Sequence, residues 1–432
     1  MFGRIVAAGA LLLALSAAAY ERVELQLTES EVYPATVHDV VVTVPEGYRS
    51  ESRAAVYVGL DGILCDAPAV IDSLSSVGAM PPAVGIFIQP GVVRNAAGEV
   101  VRYNRSNEFD ATDGRFAEFL EREVFPAVDS LTLSDGRVVR LTDSADERMI
   151  FGLSSGGIAA FVCAWNRPDL FRRVFCGCGT FVPMRGGEEL QVLVRKTEPK
   201  PIRVFLEDGY SDAWNPLFGS WFEANTLLAS ALRFAGYDCE VDWHEGGHSL
   251  SGAARIFKDV MKWMWRDYPE PIAVGATSNN MLAPMLDGAS GWEPAPAFTL
   301  SGDGRAIYPD SSLYAQSEAS SNWLTQTLVG DDGEGYATQR YYWLHSPANR
   351  LLEIGGMTFD GDGNLWVVTD AGVQICDQNG RVRGILTLPA DVDAARCGIV
   401  IDADGVHIDR YTRRLNVAPP RPGIKPASQG QA

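Results

Sequence analysis

The sequence predicts an α/β protein with a mostly parallel central sheet, followed by a smaller all-β segment. Three observations predict it. From about residue 33 to 267, short β-rich runs alternate with helical patterns, as parallel strands joined by helical crossovers require. Within that stretch the apolar run Arg148-Met149-Ile150-Phe151 leads through a tight glycine-serine turn into the helical Ile158-Ala159-Ala160-Phe161. After residue 296 short strand signals are separated by turns such as Asp360-Gly361-Asp362-Gly363-Asn364 and Asp377-Gln378-Asn379-Gly380.

Taken in order, the chain begins with Met1-Phe2-Gly3-Arg4, an unbroken apolar run from Ile5 to Leu15, and then Ser16-Ala17-Ala18-Ala19. A basic start, an apolar run too short to span a bilayer and a small-residue cleavage site read as a secretory signal over residues 1–19. The expectation is an exported protein, periplasmic or extracellular, with no integral membrane association once the signal is removed. Strands are expected at 40–44, 54–60, 83–88, 148–153, 173–178, 202–206 and 239–243. One helix is expected behind Asp113 as N-cap, because Phe116, Phe119, Leu120, Val124 and Phe125 recur at three- and four-residue steps. Others are expected over 156–166, 222–235 (stopped by Gly236) and 253–265. Residues 268–295 carry little periodicity and read as a linker. The β-rich segment then runs over 296–417, and residues 418–432, rich in Pro, Gly, Ser and Gln, read as a disordered tail.

Composition narrows the function. With 46% hydrophobic and 21% charged residues the chain is ordinary globular protein, not a disordered or fibrous one. A net charge of −19 argues against nucleic acid or an anionic membrane surface as partner. The seven cysteines have no metal-type spacing, since Cys176-Gly177-Cys178 is one residue short of a CxxC pair. Export permits at most three disulfides. Cys163, Cys176 and Cys178 lie in apolar surroundings and read as buried thiols. No cofactor is implied.

The chemistry centres on Gly152-Leu153-Ser154-Ser155-Gly156-Gly157. A strand, this tight turn and a helix are the context of a nucleophile elbow. Small residues must flank the serine there, while its Oγ is held out at a helix N-terminus. The fold expectation therefore sharpens to an α/β-hydrolase over 33–267, with Ser154 as nucleophile and the Ser155 amide as one oxyanion donor. Of the five histidines, His244 and His248 follow the elbow in the required chain order. His248, in the glycine-rich Glu245-Gly246-Gly247-His248-Ser249, is the candidate base; His244 ends a strand and is expected to pack or face solvent. His38, His345 and His407 are isolated in sequence and read as structural. The acid belongs on the loop after the strand at 202–206, where it holds the imidazole tautomer. Asp212 has room there to turn back to the histidine, and Asp208 is the alternative. The second oxyanion amide is expected from Leu60-Asp61-Gly62-Ile63, at Gly62 or Ile63.

These segments resemble the esterase family that includes enterochelin esterases, S-formylglutathione hydrolase-like enzymes, and the feruloyl and acetylxylan esterases of carbohydrate esterase family one. The resemblance rests on Tyr103-Asn104-Arg105-Ser106-Asn107-Glu108-Phe109, the helix end Phe119-Leu120 to Phe125-Pro126, the elbow, Asp208-Gly209-Tyr210-Ser211-Asp212, and Gly236-Tyr237-Asp238 ahead of Glu245-Gly246-Gly247-His248. It implies Asp212 as the acid, last in its Gly-x-x-Asp loop. It also implies a position beside the active site for Arg105 and Glu108, which with Asp61 are candidate substrate contacts. Arg105 and Glu108, three apart, are alternatively an ion pair that staples their loop.

The later segment resembles part of a gluconolactonase or regucalcin-type propeller. The resemblance is carried by Ala306-Ile307-Tyr308-Pro309-Asp310 with Leu313-Tyr314, Tyr342-Trp343-Leu344-His345, Gly356-Met357-Thr358-Phe359-Asp360 to Trp366, and Gly372-Val373-Gln374-Ile375-Cys376-Asp377. About half of a six-bladed propeller fits in the available length. The metal-binding Asp-Gly-Met of that family reads Gly355-Gly356-Met357 here, so the carboxylate ligand is missing and no metal site is expected. The segment is expected to be non-catalytic. The expected activity is hydrolysis of small-molecule or polysaccharide-linked esters, feruloyl or acetyl esters first. A siderophore esterase of the enterochelin type is the alternative substrate reading, and an inactive carbohydrate-binding or scaffold protein the alternative class.

Overall fold

The computed structural model describes residues 20–296, 304–347 and 350–420. The expected signal segment lies outside these residues, as does the expected tail from 421 onward. The chain divides into two compact units, Met1–Gln191 with Lys200–Gly275, and Val192–Pro199 with Ala276–Ala432.

The strands of the first unit are β1 (Tyr20–Leu27), β2 (His38–Pro45), β3 (Ala55–Leu60), β4 (Ala83–Ile88), β5 (Val92–Arg94), β6 (Val100–Tyr103), β7 (Arg148–Leu153), β8 (Arg173–Gly177), β9 (Arg203–Gly209), β10 (Trp214–Asn215), β11 (Gly219–Ser220) and β12 (Asp238–His244). Its helices are α1 (Ala67–Ser76), α2 (Arg105–Phe109), α3 (Arg115–Phe119), α4 (Phe125–Val128), α5 (Ser155–Asn166), α7 (Trp221–Phe234) and α8 (Leu250–Met264); α6 (Leu190–Lys196) crosses the boundary between units. Eight strands form one sheet in the order β1-β2-β4-β3-β7-β8-β9-β12. From β4 to β12 all pairings are parallel, and β2 alone runs against the rest.

Parallel strands covered on both faces need continuous apolar runs. Every residue of β3, β4 and β7 is buried. On one face, Phe257, Val260, Met261 and Met264 of α8 recur at helical spacing and join Tyr57, Phe87, Phe151 and Phe175 in one core. Phe151 and Phe175 stack with ring centroids 4.8 Å apart, and Phe257 meets Phe151 edge-on at 5.4 Å. Helix α5 is buried from Ser155 to Trp165, as a helix apolar on all sides must be.

Several elements differ from expectation, the unexpected helix α1 among them. Strand β1 was not anticipated, although Tyr-Glu-Arg-Val-Glu-Leu-Gln-Leu alternates in the way an edge strand does. The helix behind Asp113 starts at Arg115 with Gly114 as N-cap, and Asp113 Oδ1 accepts the Arg115 N–H at 3.1 Å. It then widens into a π-helical turn over Leu120–Val124 before α4. Pro126, at the start of α4, has no N–H for an i→i−4 bond, so the ladder is rearranged where it approaches the proline.

In the second unit, α9 (Leu282–Leu286) and β13 (Glu293–Pro294) fall inside the expected linker. The linker reading gives way because Leu282 and Met285 are buried in the unit's core with Trp366, Val368 and Ile375. Asn279 fixes the start of α9: its Oδ1 accepts from the amides of Met281 and Leu282. The remaining strands are β14 (Arg305–Ile307), β15 (Leu313–Ser317), β16 (Trp323–Val329), β17 (Gly335–Trp343), β18 (Ile354–Phe359), β19 (Leu365–Thr369), β20 (Gly372–Cys376), β21 (Val382–Leu386), β22 (Ile399–Ile401), β23 (Val406–Ile408) and β24 (Tyr411–Arg413). Among the described residues they form three four-stranded antiparallel sheets, β14 to β17, β18 to β21, and β13-β24-β23-β22. Glu198, in the short Val192–Pro199 piece, is buried against Arg413 at 2.7 Å and accepts the Thr387 amide at 2.7 Å. All seven cysteines are free thiols.

Candidate active site

Ser154 occupies the single residue between β7 and α5. Its φ of 56° and ψ of −121° lie where a non-glycine residue costs on the order of 1–3 kcal/mol. The surroundings impose that conformation. The Ser154 amide donates to the Gly177 carbonyl at 2.9 Å, and its carbonyl accepts from the amides of Gly157 and Thr180. A Cβ on Gly152 would lie 2.2 Å from the Gly156 carbonyl oxygen, so only glycine lets the turn close.

His248 lies on the loop between β12 and α8. Its Nε2 is 2.8 Å from Ser154 Oγ and its Nδ1 is 2.7 Å from Asp212 Oδ1. The two loops carrying His248 and Asp212 are joined through their backbones. The Ser211 amide donates to the Gly246 carbonyl at 2.8 Å, and Gly209 approaches that carbonyl so closely that an added Cβ would lie 2.4 Å from it. The Asp212 side chain has no exposed surface. Burial alone raises its pKa, but hydrogen bonds from His248, Asp208 and the Ala213 amide outweigh it and hold the carboxyl below its ordinary range. Asp208, the alternative acid, does not meet the imidazole. Its Oδ1 accepts the Gly209 amide at 2.7 Å.

Of the two expectations for His244, packing holds and solvent exposure does not. Its Nε2 is 2.5 Å from Oε1 of the buried Glu207, and its Nδ1 lies 3.0 Å from the Glu245 carbonyl. Burial lowers the His244 pKa, yet the bonds to the Glu245 carbonyl and Glu207 raise it above the ordinary histidine range. The other three histidines also have partners: His38 with Glu108, His345 with Lys196 and His407 with Asp402.

The candidate substrate contacts separate. Glu108 is turned inward with no exposed side-chain surface and takes His38 Nε2, the Asn104 amide side chain and the Gly91 N–H. It is therefore not available to substrate, and it does not pair with Arg105, because the short α2 turns it into the interior beneath β2. Arg105 instead forms a bidentate pair with Asp61, Nε to Oδ1 at 2.7 Å and Nη2 to Oδ2 at 2.8 Å. Both remain partly exposed. Asp61 adjoins the elbow, since a Cβ on Gly156 would lie 3.1 Å from its Oδ2.

One oxyanion candidate is also corrected. The Gly62 amide donates to the Ile88 carbonyl at 3.1 Å and is not free for an oxyanion. Ile63 follows it on the same loop. Ser155 is the first residue of α5, where a helix offers its amide no carbonyl one turn back.

Two residues at the site went unnoticed in the sequence. Thr180 Oγ1 is 3.3 Å from Ser154 Oγ and accepts from Trp221 Nε1 at 3.2 Å. The Trp221 ring meets His248 edge-on, with centroids 6.2 Å apart. The available signal was Gly177-Cys178-Gly179 at the end of β8, since paired glycines mark close backbone approach. Next to Thr180 in sequence, Phe181 and Val182 line a cavity of about 210 Å³ with Phe218, Leu227, Leu228 and the carboxyl-bearing Glu188. Among the described residues no group of three His, Cys, Asp or Glu is placed to hold a metal, and no helix is long and apolar enough to cross a membrane.

A family model described as Putative esterase matches residues 35–265. No curated protein matches the chain in sequence. Among solved structures, the chain is similar to a ferulic acid esterase at 15% identity and a TM-score of 0.43, covering 57% of this chain and 98% of that one. It is similar to the enterobactin esterase from Shigella flexneri at 19% identity and a TM-score of 0.42, covering 58% of this chain and 60% of that one. A siderophore hydrolase from Aspergillus nidulans gives 16% identity and a TM-score of 0.40, over 61% of this chain and 99% of that one.

Proposed function

The chain belongs to the Putative esterase family and is a carboxylic ester hydrolase, and we propose that Ser154, His248 and Asp212 are its catalytic triad. The observation that carries this reading is the unbroken run Ser154 Oγ, His248 Nε2, His248 Nδ1, Asp212 Oδ1, with both gaps under 3 Å. In the proposed reaction Ser154 Oγ attacks the ester carbonyl as its proton passes to His248 Nε2. Asp212 keeps the Nδ1 proton in place and stabilises the imidazolium. The amides of Ser155 and Ile63 hold the oxyanion. His248 then returns its proton to the departing alcohol, and water discharges the acyl-enzyme by the same base.

The proposed substrates are feruloyl or acetyl esters of polysaccharides, met by an exported enzyme. Three features support this. The cavity lined by Phe181, Val182, Phe218, Leu227 and Leu228 has apolar walls suited to an aromatic acyl group. Two residues past Asp212, Trp214 is 70% exposed, and Tyr210 is 53% exposed, faces suited to stacking on sugar rings. The charge of −19 disfavours anionic ferric siderophores.

The second unit is read as a gluconolactonase-like appendage without a metal centre of its own. Gly355 takes the place of the carboxylate ligand, and a Cβ there would lie 2.1 Å from the Ala394 carbonyl oxygen, so no side chain fits.

A fluorophosphonate probe tests the triad. Ser154 is expected to carry the adduct, and Ser154→Ala to lose both labelling and ester turnover. Full turnover in that variant overturns the assignment.

A further inference from the structure

Asp208 is one residue from the end of β9, in register with Trp243 of β12, and has no exposed surface. The Oδ1 atoms of both aspartates at this site are already engaged. Asp208 Oδ1 accepts the Gly209 amide, and Asp212 Oδ1 faces His248 Nδ1 and the Ala213 amide. The two Oδ2 atoms are buried and meet no amide or hydroxyl donor among the described residues. The Asp212 amide donates to the Gly209 carbonyl at 3.0 Å, so one tight turn carries both carboxyls, and each shifts the other's ionisation. Ionised carboxylates only accept, so a bond between the two free oxygens requires one proton between them.

The surroundings decide which aspartate carries it. Asp212 is held ionised by the imidazole and a backbone amide. Asp208 has one amide and lies beside Glu207, itself bonded to His244, and Cys178, whose thiol burial pushes up. Burial first, then the bond and charge of Asp212, push Asp208 up to about 9. His248 faces the pair through Asp212.

We propose that Asp208 is a positioning residue for the triad, a neutral carboxylic acid whose O–H donates to Asp212 Oδ2 and fixes the Asp212 carboxylate in the plane that meets His248 Nδ1. This rests on the triad reading above. The donated bond keeps Asp212 from rotating toward the peptide amides and lowers its basicity, so that the proton on Nδ1 stays with the imidazole. No covalent step is added. Ionisation of Asp208 in alkaline solution puts a second negative charge against Asp212 and removes the bond that aims it.

Two measurements on the full chain test the proposal. Infrared difference spectra of the wild type across pH are expected to show the carbonyl stretch of a protonated carboxylic acid at pH 7 that titrates away near 9. This does not depend on activity. Absence of such a band, or its persistence in Asp208→Asn, overturns the inference whatever Ser154 does. In turnover of p-nitrophenyl acetate, Asp208→Leu is expected to lower kcat about 10–100-fold with KM little changed, the range for removing a supporting bond behind a first-line residue. Asp208→Asn keeps an N–H donor and cannot ionise. It is expected to lose far less kcat and to lack the alkaline limb near 9. An Asn variant as damaged as Leu, or one with the wild-type alkaline limb, overturns the proposal. Activity retained in Ser154→Ala overturns the triad reading separately.

Discussion

Arg105 grips Asp61 with both arms of its guanidinium, and Asp61 in turn abuts the glycine that follows Ser154-Ser155. Asp61 has a φ of 62° and begins the turn that leads to Ile63, so the ion pair ties the proposed oxyanion loop to α2. Lysine cannot reproduce a two-point contact. Arg105→Lys is expected to lower kcat by about tenfold while melting within a few degrees of wild type, because a misplaced oxyanion donor costs rate before stability. Steady-state kinetics with a melting curve check it; an unchanged kcat removes Asp61 and Arg105 from the positioning of that loop.

His244, the last residue of β12, and His248, on the loop that follows, are expected to behave differently. His248→Ala should lower kcat by about 10⁴-fold or more, as loss of a triad base does. The double variant with Ser154→Ala should be no worse than either single one, since the residues act as a unit. His244→Gln should keep most turnover and lose thermal stability, because it unpairs buried Glu207 without touching the serine. Equal losses of kcat in both would contradict the division of roles drawn from their hydrogen bonds.

Gly152→Ala is expected to destabilise the first unit by about 2 kcal/mol or more, since its Cβ meets backbone that cannot move aside. Gly47 has nothing within 4 Å of an added Cβ. Gly47→Ala should therefore stay within about 0.5 kcal/mol of wild type, as open surface positions do. Urea denaturation compares the two.

A pH effect is expected in the second unit. Lys196 Nζ donates to His345 Nε2, and burial first, then the Lys196 charge, lower His345 from 6.5 to about 4. A depressed folded-state pKa means that the unfolded chain takes up the proton first. Stability from this group is present above 6.5 and is lost as pH falls through about 4. The melting temperature of the second unit should drop over that window, and His345→Gln should flatten the drop. A drop of the same size in the variant would exclude His345 as its source.

What was legible in the sequence follows the range of the forces involved. The turn around Ser154 was readable because a strand, a glycine turn and a helix are adjacent in the chain, and the loops of Asp212 and His248 because they follow recognisable strands. The partner of Arg105 was not, since Asp61 lies 44 residues earlier and spacing along one loop favoured Glu108. Gly62 failed as an oxyanion donor because its amide is claimed by Ile88 across the sheet edge, a contact that no local pattern records. Thr180 and Trp221 escaped for the same reason. In the β-rich segment, short strands announced antiparallel sheets but not their grouping.

The placement of Glu198 matters for anyone wishing to dissect this protein. Its codon lies inside the hydrolase gene segment, yet its carboxylate is satisfied by Arg413 and Thr387, near the far end of the chain. A clone stopped after Gly275 would leave that acid stranded, and one started at Ala276 would strand the arginine. No single cut in the chain separates the two units.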